Sequence, residues 1–174
     1  MKILAITEDY PVIAGGYFYF IRICEALSTK AEVTTVACHG ATDQYSEKLK
    51  RIGPKKLSQA LFPLFLTWFL LNDRKKYDSA LINWGASQFF ALIMLKLMRI
   101  PAVLIVHHTD TLWEHVKFSP NKVSSKIYAI IQYLCTMSFL QFFDAILVEN
   151  SVTEEIMRNK NRNVFNIGIA ICRY

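Results

Sequence analysis

Six short apolar runs, four to seven residues each, alternate with segments of helical spacing along this 174-residue chain. They cover residues 3–6, 32–38, 79–83, 102–106, 144–148 and 163–167. Runs this short, rich in Ile, Leu and Val, read as strands buried on both faces, the habit of parallel sheets. Parallel neighbours cannot be joined by a hairpin, so each pair needs a crossover, usually a helix. The intervening sequence supplies candidates. Residues 17–28 place Phe20, Ile21, Cys24 and Leu27 at helical spacing. Residues 57–71 and 86–99 are strongly apolar and of helical length, and Ser124 and Ser125 suit the start of a long helix ending near Phe142. Residues 152–159 form a short polar helix with Glu154 and Glu155 in its first turn, where they suit the macrodipole. The alternation predicts an α/β fold with a parallel sheet, in one domain spanning 1–174. Residues 39–56, with Gly53-Pro54, read as a loop or a short irregular helix.

Apolar residues make up 53% of the chain, which excludes disorder and calls for a large buried sheet or a membrane contact. A net charge of +6 suits an anionic ligand or an anionic membrane surface, and is too small to point to nucleic acid. Cys24, Cys38, Cys135 and Cys172 form no CxxC pair, and the sequence opens directly on a strand without a signal peptide. Both features favour a reducing cytoplasm. No apolar run reaches the roughly 20 residues of a spanning helix.

In an open parallel sheet, ligands bind beyond the carboxyl ends of the strands. Four such ends carry polar or glycine residues: 8–16, Asn83-Trp84-Gly85, 107–110, and Glu149-Asn150-Ser151. Gly15-Gly16, between a strand and a helix, has two readings of equal weight: an anion cradle whose N–H groups approach a phosphate, or a tight turn alone. A nicotinamide cofactor is disfavoured, because GxGxxG is absent and Cys38-His39-Gly40 stands where the ribose-binding acid belongs. The sequence His107-His108-Thr109-Asp110, with Glu114 and His115 beyond, contains metal-ligand residue types. Adjacent histidines on an extended segment point in opposite directions, so no metal site is expected and His107 is favoured as a crevice residue. Cys24 and Cys135 have no neighbouring base that would make a nucleophile. Segment 57–71, flanked by basic residues, has three readings: a helix buried against the sheet, a membrane-interfacial helix, or a partner surface. Partial burial with an anionic membrane contact through residues 48–76 is favoured.

Taken together, these pieces resemble the amino-terminal domain of retaining GT-B-type glycosyltransferases of family 4. MKILAITEDYP with Ala14-Gly15-Gly16 is similar to their opening strand and glycine loop. Glu32-Val33-Thr34-Thr35-Val36 looks like their "hEVtVv" strand, with Thr29-Lys30-Ala31 in place of the usual glycine and histidine. Tyr77-Asp78, the span from Pro101 to His107, Phe143-Asp144-Ala145-Ile146-Leu147-Val148 with Ser151, and Ile167-Gly168-Ile169 with Tyr174 match further family patterns in order and spacing. One departure is Ala170, where the family has Asp.

The resemblance implies a Rossmann-like parallel sheet of about six strands with helices on both faces, one half of a GT-B fold. It implies an acceptor-side domain that transfers a hexose from a nucleotide-diphosphate sugar to a glycan or lipid-linked acceptor, without a cofactor. Gly15 and Gly16 would face the donor diphosphate and His107 the transferred sugar; Glu8, Trp84, His108, Asp110, Asn150 and Ser151 would line the acceptor side. The donor-binding domain lies outside these residues, in the same or another chain, so the chain alone is expected to be inactive or nearly so. The expected location is the cytoplasm, peripheral on the inner membrane face. Two other readings stand beside this one: a non-catalytic α/β scaffold docking through its apolar basic-flanked helix, and a different phosphate-ligand enzyme on the same fold.

Overall fold

A computed structural model describes residues 1–7, 15–38, 50–52, 61–73, 76–83, 88–107, 130, 134 and 137–168. The chain divides into two compact units, Met1–Val103 and Leu104–Tyr174.

The first unit is built on β1 (Lys2–Thr7), β2 (Glu32–Cys38), β3 (Lys50–Ile52) and β4 (Ser79–Asn83), in the spatial order β3-β2-β1-β4. Every pairing among them is parallel, with Leu4 opposite Thr34 on one side and Ala80 on the other. Ile3, Leu4, Ala5 and Ile6 are all buried, as a central strand covered on both faces requires. Polar groups tie down its amino end: Glu32 N–H donates to the Met1 carbonyl and Lys2 N–H to the Asp78 carboxylate at 2.7 Å.

Helix α1 (Gly15–Ser28) joins β1 to β2, α2 (Phe62–Asn72) joins β3 to β4, and α3 (Gln88–Leu97) leads from β4 to β5 (Ala102–Val106). The Ala80 N–H to Pro101 carbonyl bond sets the start of β5 beside β4. The winding runs outward from β1 to β3 and then returns past β1 to β4, so it reverses between β1 and β4. Right-handed crossovers running in opposite directions place their helices on opposite faces. Accordingly α1 covers one face, while α2 and α3 cover the other and pack together.

Residues 50–52 correct the sequence reading, which made this region a loop or irregular helix. They form β3, an edge strand paired with Val36, Ala37 and Cys38. Its sequence, Lys-Arg-Ile, has neither the length nor the apolar content that periodicity detects, and charged edge strands are a common defence against unwanted pairing. Helix α2 also begins later than the apolar run suggests, at Phe62; residues 57–60 lie outside the described residues. Pro63 sits in its first turn, where a missing N–H costs nothing.

In the second unit β6 (Ala145–Val148) pairs in parallel with β7 (Val164–Asn166), and α4 (Ser151–Arg158) connects them. Asn150 caps α4 by accepting a 2.8 Å bond from Thr153 N–H. A single 3-10 turn, Leu140–Phe142, precedes β6. The long helix expected over 124–142 falls mostly outside the described residues; 137–139 are helical.

Candidate functional site

Six polar or charged residues are buried among the described residues: Thr7, Asn83, His107, Glu149, Thr153 and Asn161. The first four stand at the carboxyl ends of β1, β4, β5 and β6: Thr7 and Asn83 as last strand residues, His107 and Glu149 as the residue after. Burying a polar group without a partner costs about 1–3 kcal/mol, so packing alone would favour apolar residues there. The amino ends of β1 and β4 instead carry the exposed Lys2 and Asp78. Buried polarity is thus concentrated where an α/β sheet binds ligands.

In the first unit the winding reverses between β1 and β4, and the buried polar pair lies at that point. Asn83 Nδ2 donates to Thr7 Oγ1 at 3.1 Å. The crevice at such a reversal is where the loops leaving two neighbouring strands diverge.

In the second unit His107 Nδ1 lies 2.5 Å from Glu149 Oε1, both side chains about nine-tenths buried. Where Glu149 is ionised it can only accept, and Nδ1 is then the donor of this bond. A carboxylate in this position fixes both the tautomer and the ring orientation, and it stabilises the imidazolium if Nε2 takes up a proton. The pair can therefore act as an oriented hydrogen-bonding group or as a proton acceptor.

Gly15 and Gly16 are the first two residues of α1, so their N–H groups belong to the first turn, whose amides have no intrahelical partners. Asn150 has an extended backbone and uses its side-chain oxygen for the cap, which leaves Nδ2 as what it can offer a ligand. Ser151 opens α4 and is exposed. Glu8, Trp84, His108 and Asp110 lie outside the described residues. Glu149 was legible only as a polar strand end; its pairing with a histidine 42 positions earlier has no local signature. Asn83 was likewise visible as a strand end, without a role.

Cys24 is buried, and desolvation pushes its thiol up to about 12, against a smaller opposing effect of a hydrogen bond with Thr35. It is not a thiolate at neutral pH and cannot serve as a nucleophile. Among the described residues, no group of three or more His, Cys, Asp or Glu could hold a metal ion.

No protein-family model matches the sequence, and no curated protein matches it. The fold does have solved counterparts. Phytolacca americana UGT2, complexed with UDP-2fluoro-glucose and pterostilbene, superposes with a TM-score of 0.64 at 8% identity, over 96% of this chain and 52% of that one. A UDP-glucosyltransferase from Polygonum tinctorium capable of glucosylating indoxyl gives 0.57 at 8% identity, with the same coverage. A transferase from Siraitia grosvenorii in complex with UDP gives 0.54 at 10% identity, covering 96% of this chain and 50% of that one. The chain spans about half the length of these proteins. Its fold is the α/β, Rossmann-like fold of one half of a GT-B glycosyltransferase, and the likeness does not single out family 4.

Proposed function

We propose that this chain is the acceptor-side half of a retaining glycosyltransferase that moves a hexose from a nucleotide-diphosphate sugar to a glycan or lipid-linked acceptor. The donor-binding half is supplied by further sequence or by another chain. The observation that carries the reading is the set of buried polar residues at the carboxyl ends of β1, β4, β5 and β6, on a half-GT-B fold.

In this reading the first-turn amides of Gly15 and Gly16 face the donor diphosphate, whose negative charge grows as the glycosidic bond breaks. His107, oriented by Glu149, faces the transferred sugar, which passes through an oxocarbenium-like state. Glu8, Trp84, His108 and Asp110 extend the acceptor side, and Asn150 and Ser151 contribute from the start of α4. No cofactor is required beyond the sugar nucleotide. Without the donor half, turnover is nearly absent.

The test pairs this chain with its donor-binding half, by extending the sequence or adding the second chain, and follows hydrolysis or transfer across a panel of nucleotide sugars. Turnover with retained anomeric configuration by NMR supports the reading, and an inverted product removes its retaining part. Glu149→Gln keeps an oxygen toward Nδ1 yet removes the charge, and should lower kcat by about 10–100-fold with a small change in Tm. Absence of both donor binding and turnover in every pairing would refute the enzyme reading altogether.

A further inference from the structure

We propose that α2 and α3 together seat this protein on the surface of an anionic lipid bilayer. The two helices pack side by side on one face of the first unit's sheet, and each buries one stripe and exposes another. On α2, Phe62, Leu66, Phe69 and Leu70 face inward, while Leu64, Trp68 and Leu71, at i, i+4 and i+7, are 67%, 63% and 69% exposed. On α3, Ala91, Leu92 and Leu95 are buried, while Phe90, Ile93 and Leu97, at i, i+3 and i+7, are exposed. Single exposed apolar residues are ordinary; two adjacent helices carrying outward stripes form a patch that needs a partner.

Charge identifies that partner. Residues 48–107 contain ten Lys or Arg against two acids, Asp73 and Asp78, whereas the rest of the chain carries ten bases and twelve acids. The whole positive excess of the protein therefore lies in the segment that carries the two helices. Both of its acids are engaged: Asp73 accepts from the Tyr77 hydroxyl at 2.6 Å, and Asp78 accepts from Lys2 N–H and lies 4.0 Å from the terminal amine. Lys76, just beyond α2, and Lys96, in the last turn of α3, are exposed. A tryptophan among leucines, bordered by bases, matches the acyl–headgroup boundary of an anionic leaflet.

Arg99 ends α3. Its φ is +57°, and Arg99 N–H donates to the Lys96 carbonyl while Ile100 N–H donates to that of Leu95. This is a Schellman ending with Arg where glycine is strongly preferred. Arg99 is exposed, two residues beyond Leu97, and adds a cation at the end of α3.

The geometry is interfacial. Helix α2 has 11 residues, roughly 16 Å of rise, about half of a hydrocarbon core. No helix among the described residues is long and apolar enough to cross a membrane. Thr67 turns its hydroxyl back to the Pro63 carbonyl at 2.9 Å, so this polar side chain within α2 satisfies itself locally.

The test is flotation of the chain with vesicles of phosphatidylcholine alone or with roughly a third phosphatidylglycerol. Binding is expected to phosphatidylglycerol vesicles at low salt, weakening at about 0.5 M NaCl. Leu64→Ser, Trp68→Ser and Leu97→Ser combined should reduce it at least ~10-fold with Tm nearly unchanged, because all three side chains are exposed. Lys76→Gln with Arg99→Gly, which leaves both helices intact, should reduce it about tenfold. Equal binding to both vesicle types, or undiminished binding of either variant, overturns the proposal. So does a wild-type dimer that the triple variant dissociates, since a second copy would then cover the patch. The proposal does not depend on the glycosyltransferase reading, and neither test decides the other.

Discussion

Asn161 offers a sharp test of how the second unit holds its strands. Only 7% exposed, it donates from Nδ2 to the carbonyls of Leu140 at 2.9 Å and Phe143 at 2.8 Å, and its Oδ1 accepts from Asn163 N–H at 2.8 Å. One amide thus ties the segment entering β7 to the turn entering β6. Asn161→Leu keeps the volume and removes all three bonds. Asn163 is exposed and its N–H can turn to water; the Leu140 carbonyl keeps its 3.3 Å bond from Phe143 N–H, while the Phe143 carbonyl loses the Asn161 donor. At about 1–2 kcal/mol for the Phe143 carbonyl and less for that of Leu140, the expected loss is ~1–3 kcal/mol. Asn161→Asp replaces the donor by a carboxylate oxygen aimed at two carbonyls, which should cost more at pH 7. The folded state then raises the pKa of the new carboxyl, so the aspartate variant should regain stability as pH falls and lose it as pH rises through that folded pKa. Urea unfolding followed by far-UV circular dichroism at two pH values reads both effects. A leucine variant within about 0.5 kcal/mol of wild type, the range of ordinary surface changes, would refute the reasoning. An aspartate variant with no pH dependence beyond that of wild type would do the same.

Arg99→Gly should raise stability by about 0.5–1 kcal/mol, read as a higher Tm, because glycine adopts the positive φ at the end of α3 without strain; a lower Tm would mean that the side chain is structurally needed. Cys24, its thiol pushed up to about 12 by burial, should resist iodoacetamide at pH 8 in the native protein and react on unfolding in urea, as mapped by peptide mass spectrometry. Rapid native labelling at Cys24 would contradict its burial. Glu154 accepts from Arg158, at 2.7 and 2.9 Å, and from Asn166 at 3.1 Å, and these donors, Arg158 first, hold its carboxyl below the usual range. Its folded pKa lies below the unfolded one, so its contribution is present above the unfolded pKa and lost as pH falls through the folded pKa. Glu154→Gln should therefore flatten part of the acid limb of the stability profile, and an unchanged limb would rule that contribution out.

The sheet was legible because its strands are buried on both faces. β1, β4, β5 and β6 are runs of Ile, Leu, Val and Ala that no solvent-facing element would tolerate, and their bounds fall within a residue or so of the sequence reading. β3 was not legible, since three residues at a sheet edge gain their conformation from pairing with Val36, Ala37 and Cys38 rather than from their own pattern. Pro63 and the all-round apolarity of α2 are unusual for a covering helix, and both have local causes: proline is harmless in a first turn, and the outer stripe adds apolar residues beyond those the core uses. At the site, position along the chain pointed to His107, because it follows the most apolar run. Its partner could not be read, since the contact to Glu149 is created only when the ends of β5 and β6 come within hydrogen-bonding reach.

That pairing also bears on why the polar residues are there at all. A buried ion pair or charged hydrogen bond contributes little net stability, and an apolar pair of similar volume commonly does as well or better. The second unit locks β6 to β7 through Asn161 and the capped α4, whereas the His107–Glu149 pair links the ends of β5 and β6. The Thr7–Asn83 pair follows a continuous parallel ladder between β1 and β4, from Ile3 opposite Ser79 to Ile6 opposite Ile82. Both pairs sit at the carboxyl ends of strands, where an α/β sheet binds ligands. For the proposed transferase, a ligand whose charge changes during the reaction is the kind of partner for which an imidazole oriented by a carboxylate has value.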